Sequence, residues 1–521
     1  MIMKKVINSK SQIIIIISLA ILFIFALLLR ILGLGNTFES SDNVELAYKI
    51  LTNHGYRWMV RENYGFLINI YVKIFVGILS LMGVGINEFW WKFPIAFLGS
   101  LQVFATYFLM CGMNQSKGLS LIVAGSVVFL PLHVFQSRIL WGYEVLAVFF
   151  LTLAVYELII FFKEPSVKRG LIASLLSALY LISHGYIIPF LPTLCLLCIL
   201  YVSYEGKNIF IRFYHAIMLL IKKWVWFFPL IISPLLYYPL FHAFNKKTKL
   251  GFYFFDYFGQ VIGSIGIGYL FFIILTLFVI IFFHSVINRH VLLCVGSSVF
   301  YLSPLFFGAQ PGITVVRGYM LVGIYFIIIA SILVMNYLLR NRKSIFYWSF
   351  IICFMLNCYG IVESIFYRDV GFDLSFIWAD RDAKRGVVNI DPGSKTAGYI
   401  IRTYMPPETS LLSVHGHVEP SVLYYYFGRT KYSYYDLSPE QTLNKLQNMK
   451  DEVDIIICED SYIDELDNNY DFERMVTIFA ENIPQMYIYA RHTFTFPEDQ
   501  VSVEEYNKYY DNKYPISVSL L

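Results

Sequence analysis

Charge is scarce in this chain. Of its 521 residues 15% are charged and 58% are hydrophobic, where an average soluble domain has about 25% charged residues. The shortage is local: long apolar runs fill the chain before about residue 366, and charge concentrates after it. The net charge is only +4, and Lys and Arg cluster in short loops between apolar runs, which argues against a nucleic-acid binder. Cysteine is just as sparse where it would count. Cys111, Cys195, Cys198, Cys294, Cys353 and Cys358 lie in or beside apolar runs, and Cys458 alone lies in the polar tail, so the tail can hold no disulfide framework. Cys195 and Cys198 form a CxxC inside LPTLCLLCIL, but no histidine or second pair accompanies them, which argues against a metal or redox role. His415-Gly416-His417-Val418-Glu419 looks like a metal cluster only on the surface and reads as a turn after a strand. No internal repeat is present. No small-x-small cleavage site follows the N-terminal apolar run, so that run reads as a retained first membrane helix.

Apolar runs of crossing length, or slightly short of it, fall at 12–34, 92–112, 118–136, 143–163, 169–184, 187–203, 224–244, 267–287, 291–308, 315–339 and 344–365. Lys4, Lys5 and Lys10 place the N-terminus in the cytoplasm. So should the basic loops Lys163-Lys168-Arg169, Lys207-Arg212-Lys222-Lys223 and Arg340-Arg342-Lys343 be cytoplasmic. Counting back from Lys163 leaves an even number of crossings for residues 66–85, which therefore read as an amphipathic segment at the outer surface. The sum is about eleven crossings in a multi-pass plasma-membrane protein, N-terminus inside and C-terminus outside. Residues 1–366 form the membrane domain, with 35–91 as its first external loop, and 367–521 form a soluble extracytoplasmic α/β domain. In that domain Ser410–His415, Val453–Cys458 and Met486–Arg491 read as strands of a mostly parallel sheet. Ser438-Pro439-Glu440-Gln441 reads as a capped helix start.

With the sides assigned, ionisable residues near the outer surface become candidates for a site, because charge close to a membrane is costly. They include Asp42, Glu45, Arg138, Glu144, His184, Lys246, Lys247 and Arg317. Asp42 can serve as a general base or as the N-cap of the amphipathic helix that follows it. Arg138 can hold a phosphate oxygen, pair with Glu144, or anchor the interface beside Trp141 and Tyr143. Arg317 can bind phosphate or snorkel at a span end. Lys246 and Lys247, with Lys249, run against the positive-inside pattern and suit an anionic ligand such as a lipid phosphate. His184, at the polar tip of a hairpin, reads as a structural histidine or a site residue.

This layout resembles the GT-C superfamily of integral membrane glycosyltransferases, in particular its protein O-mannosyltransferase and aminoarabinose-transferase branch. Asp42-Asn43-Val44-Glu45 with Ala47-Tyr48 and Gly55-Tyr56 resembles the family's first external loop. Lys92-Phe93-Pro94-Ile95-Ala96-Phe97-Leu98-Gly99 is similar to its Arg-Leu-Pro-Ser-Ala-Leu-Phe-Gly stretch. Gln136-Ser137-Arg138 with Glu144, Ser183-His184-Gly185-Tyr186 and Arg317-Gly318-Tyr319 match further short motifs in the family's order. Asn43 departs from the pattern, standing where many members have Glu.

The resemblance implies an inverting transfer of a hexosyl or pentosyl group from a polyprenyl-phosphate donor to a hydroxyl on a lipid, glycan or protein, at the outer face of the membrane. It implies that Asp42 and Glu144 are the acidic site residues and that Arg138 and Arg317 contact the carrier phosphate. It implies no cofactor, with a divalent metal left open. Two other readings compete: a transporter or flippase of lipid-linked sugars, which would place charges at mid-membrane, and a non-catalytic anchor that presents the tail.

Overall fold

The computed structural model describes residues 2–32, 34, 44, 46, 47, 50, 66–140, 142–183, 187–202, 209–236, 265, 267–282, 288–307, 313–366, 393–414, 420–428, 432–435, 453–458, 463–468, 471–480, 483–495, 502–504 and 516–520.

The membrane domain is a bundle of apolar helices. Its elements are α1 (Ile2–Ile31), α2 (Phe66–Leu81), α3 (Glu88–Gly112), α4 (Lys117–Val128), α5 (Pro131–Gln136), α6 (Tyr143–Lys163), α7 (Val167–Ile182) and α8 (Ile187–Tyr201). They continue with α9 (Ile209–Lys222), α10 (Phe228–Leu236), α11 (Ile267–Phe282), α12 (Arg289–Phe307), α13 (Ile313–Leu338) and α14 (Lys343–Phe366). Among the described residues, five helices are single spans by length and apolarity: Gln12–Ile31, Glu88–Gly112, Glu144–Lys163, Tyr319–Leu338 and Lys343–Val362. The chain is therefore membrane-embedded. Four shorter apolar helices accompany them.

Burial sorts the spans by position. In α13, 83% of the most apolar stretch is buried, against 17% in α1. The isoleucine run of α1 leaves Ile13 and Ile16 exposed, as suits a lipid-facing helix, while Ala26 and Leu29 pack inward. In the interior, Gln102 Nε2 of α3 donates to Thr152 Oγ1 of α6 at 2.8 Å and to Thr106 Oγ1 at 3.3 Å. Thr106 Oγ1 in turn lies 3.4 Å from the Tyr325 hydroxyl of α13. Such interhelical polar bonds hold helices together where no hydrophobic force separates helix from lipid.

Two elements depart from the expectations above. The run 118–136 is broken at Phe129–Leu130, because Pro131, first residue of α5, has no N–H to continue the ladder. Residues 209–222, not anticipated as a helix, form α9. Together with Trp224–Phe227 (a 3₁₀ turn) and α10 they make a helix pair bent by 81° at Lys223. In α2 one stripe is buried (Ile68, Val72, Val76) and another, also apolar, is exposed (Ile74, Ile78, Leu81).

α11 meets α14 at very close range. Asn357 Oδ1 accepts from Gly268 N at 2.9 Å and its Nδ2 donates to Ile265 O at 3.1 Å. A Cβ at Gly268 would fall on the Cys353 carbonyl oxygen. Gly268→Ala is expected to push these helices apart and cost about 1–3 kcal/mol, read as a lower unfolding temperature in detergent.

The C-terminal domain carries α15 (Ser394–Tyr404), β1 (Leu411–Val414), α16 (Pro420–Tyr425), β2 (Tyr432–Tyr435), β3 (Ile455–Cys458), α17 (Ile463–Asp467), β4 (Phe472–Ala480), β5 (Ile483–Arg491) and β6 (Ile516–Leu520). The three expected strands are present, and the helix start at Ser438 lies outside the described residues. The sheet order is β2-β1-β3-β5-β4-β6. Only β2, β1 and β3 run parallel, while β5, β4 and β6 join antiparallel, so the sheet is mixed rather than mostly parallel. The β4–β5 connection is too short for a parallel crossover and forces a hairpin.

Candidate active site

A cluster of buried charge lies where α1 ends. The last carbonyls of a helix lack intrahelical partners and carry the negative end of its dipole. Here basic side chains from elsewhere in the chain supply the missing donors. Arg138 Nη1 donates to Leu29 O at 3.1 Å, Arg30 O at 3.2 Å and Leu32 O at 2.7 Å. Lys92 Nζ donates to Leu34 O at 2.5 Å. Arg30 donates from Nη1 to Ala26 O and from Nη2 to Val128 O, the last residue of α4, both at 2.8 Å. Its Nη2 also donates to His133 Nδ1 at 2.8 Å. A guanidinium cannot accept, so His133 Nδ1 is the acceptor and the ring carries its proton on Nε2. All four basic residues are buried.

Close packing makes room for this cluster. Ser137 Oγ donates to His133 O at 2.5 Å, tightening the end of α5. A Cβ at Gly99 would strike the Ser137 hydroxyl and reach 3.0 Å from Arg30 Nε. Glycine at this point lets α3 approach the α5 turn. Glu144 sits in the first turn of α6, where the helix dipole favours a carboxylate, and is 2% exposed.

Two of the expected site residues, Arg138 and Glu144, are thus placed at one end of the bundle. Arg138 caps a helix, a task not among the readings drawn from the sequence. Arg317 lies in the first turns of α13, and its side chain is outside the described residues. Asp42, Glu45, His184, Lys246 and Lys247 also lie outside them. Val44, Leu46, Ala47 and Ile50, which follow Asp42, are helical and buried, as the amphipathic pattern there requires. Arg30 and His133 were not anticipated. The signal for Arg30 was available, since it is an arginine inside an apolar run, the kind of residue that needs a partner. Among the described residues no group of three or more His, Cys, Asp or Glu side chains is placed to hold a metal.

The two ends of the bundle differ. The C-terminus of α1, the N-termini of α3 and α6 and the C-terminus of α4 share the end just described. At the other end Lys163 Nζ donates to Gly112 O at 2.6 Å, Arg169 pairs with Glu157 at 2.8 Å, and the Tyr201 hydroxyl meets His290 Nδ1 at 2.6 Å. The C-terminal domain docks on the first end: Lys395 Nζ of α15 lies 2.6 Å from Glu88 Oε1 at the start of α3. The first-loop residues Val44, Leu46, Ala47 and Ile50, Arg138, Glu144 and the C-terminal domain therefore share one side.

No protein-family model matches the chain, and no curated protein does either. Solved structures do match. ArnT from Cupriavidus metallidurans in the apo state aligns with a TM-score of 0.54 at 12% identity, over 90% of this chain and 97% of that one. The same protein bound to undecaprenyl phosphate gives 0.52 at 10% identity, over 92% and 98%. An archaeal oligosaccharyltransferase, AglB from Archaeoglobus fulgidus, in complex with an inhibitory peptide and a dolichol-phosphate, gives 0.49 at 10% identity, over 94% and 75%. The chain, apolar helices followed by a C-terminal α/β domain, thus shares its overall fold with ArnT over nearly the full length of both.

Proposed function

We propose that the chain transfers a sugar from a polyprenyl-phosphate donor to an acceptor hydroxyl at the outer face of the membrane. The observation that carries this reading is the match over nearly the full length of both chains to ArnT, whose structure was solved with undecaprenyl phosphate. The cationic end of the bundle fits it, because Arg30, Lys92 and Arg138 bring three positive charges beside the first loop. The positive-inside pattern turns this end outward and the Lys163–Arg169 end toward the cytoplasm.

In the proposed reaction Asp42 takes the proton of the acceptor hydroxyl. The hydroxyl oxygen attacks the anomeric carbon from the side opposite the carrier, and the bond from that carbon to the phosphate oxygen breaks with inversion. The carrier phosphate leaves with the bonding pair. Arg317, Lys246 and Lys247 are assigned to its growing charge. Arg138 is assigned two tasks: Nη1 holds the end of α1, and the guanidinium adds positive charge at the leaving group. Glu144 and Glu45 are assigned to orienting the acceptor, and His184 to the site's margin. The acceptor is a lipid, glycan or protein hydroxyl.

The test is turnover of a panel of polyprenyl-phosphate sugars by the purified protein in detergent or lipid nanodiscs, with and without a divalent ion. Release of carrier phosphate from one donor, dependent on an acceptor, is the expected outcome. Absence of both release and binding for every donor in the panel would reject the proposal.

A further inference from the structure

The C-terminal domain is joined to the membrane domain by an unusual contact. Of the ion pairs among the described residues, Lys395–Glu88 is the one with both side chains largely buried, 12% and 6% exposed. Glu88 also occupies the first turn of α3, where a carboxylate faces the positive end of the helix dipole. Lys395 Nζ also lies 5.7 Å from the Tyr426 ring centre. The hydroxyl of the neighbouring Tyr425 is pushed up by burial and, after that, by the Glu88 carboxylate.

Around this pair the apolar packing runs without a break from one domain to the other. Val44 and Ile50 of the first loop, Trp91 and Ile95 of α3, and Ile400 and Tyr426 of the soluble domain belong to one buried cluster. The helix that follows Asp42 is thus packed in the same core as the domain that Lys395 anchors.

From this arrangement we infer that the Lys395–Glu88 pair couples the C-terminal domain to the first-loop helix, so that the domain positions that loop and is not a separately hung module. Lys395 and Glu88 are positioning residues: they act through the shared core on residues 44–50. The consequence for sugar transfer rests on the function proposed above, whereas the coupling itself does not.

A buried ion pair suits a test by exchange of charge. Removing one partner strands the other in a dry site, and reversing one sign sets like charges together. Lys395→Glu is expected to raise amide hydrogen exchange at residues 44–50 and 394–404 by about tenfold or more, since local opening then becomes cheaper. Glu88→Lys is expected to do the same. The double variant Glu88→Lys/Lys395→Glu should return exchange to within about fivefold of wild type, short of full recovery because a lysine then faces the α3 N-terminus. Lys395→Gln, a milder change, should fall between wild type and Lys395→Glu, and it keeps the test decisive if a reversal fails to fold.

Wild-type exchange at 44–50 in Lys395→Gln and in whichever reversal folds would overturn the coupling. So would a folded double variant whose exchange stays as high as in the singles. In the transfer assay the coupling appears as a fall in kcat for the single variants that the double variant rescues. Exchange needs no sugar donor, so a protein that follows this pattern but turns over no donor would refute the proposed function and leave the coupling standing.

Discussion

Asp42→Asn is expected to leave a folded protein whose sugar transfer is slower by about 10²–10⁴-fold, the usual contribution of a general base. The substitution is chosen because it separates the two tasks open to this residue. Asn and Asp are nearly equal as helix N-caps, so an aspartate present only to cap the helix over Val44–Ile50 would be replaced with little change in stability or rate. A catalytic carboxylate would not, because an amide cannot take the proton of the attacking hydroxyl. Asp42→Ala is the control, since it should lose the cap as well, at a cost of about 1 kcal/mol. The measurements are the rate of carrier-phosphate release at saturating donor and the unfolding temperature of each variant. Wild-type transfer by Asp42→Asn would assign Asp42 to capping alone and send the search for the base to Glu45 and Glu144.

The second large effect concerns stability. Arg30→Met should destabilise the membrane domain by about 2–4 kcal/mol, from the desolvation of groups it strands. Arg30 is fully buried and bonds Val128 O and His133 Nδ1, two acceptors that no water reaches. Methionine fills similar volume, so the loss reports stranded acceptors rather than a cavity. His133→Leu in the same background removes one of those acceptors and should recover part of the loss, about 1 kcal/mol. Arg30→Lys keeps the charge but lacks the fork that reaches both partners and should lie between. Thermal unfolding in detergent ranks the four proteins. A double variant no more stable than Arg30→Met would show that the Arg30–His133 bond carries little of the effect.

The spans of α1, α3, α6, α13 and α14 were legible as apolar runs, because transfer into the bilayer depends on residues summed along the chain. The break at Pro131 was present in PLHVFQ but does not alter hydropathy, so the run read as continuous. α9 was missed for the opposite reason: Arg212 and His215 lower the apolarity of a segment whose exposed Phe210 and Ile211 lie on its surface. β1 and β3, buried on both faces, stood out as short apolar strands, whereas β4 mixes charge into FERMVTIFA and did not.

Arg138 and Glu144 drew attention as ionisable residues beside apolar runs, and the structure gathers both at one end of the bundle. The partner of Arg138 could not be read, since Arg30 O is 108 residues away, and Val128 O is 98 residues from Arg30. The pairing of Glu88 with Lys395 was hidden in the same way, by the long stretch of chain between them.

By itself, then, the sequence determined the five helices of spanning length, that a more polar α/β domain follows the apolar helices, and which charges need an explanation. Those are matters of local composition and spacing, set by transfer free energies that each segment carries wherever it sits. The tertiary structure decided that Arg138 caps α1, that Arg30 holds α4 and His133, that the sheet is mixed, and that the soluble domain shares a core with the first loop. Each of these depends on which distant groups meet, and a buried donor takes whichever acceptor the fold brings within hydrogen-bond reach.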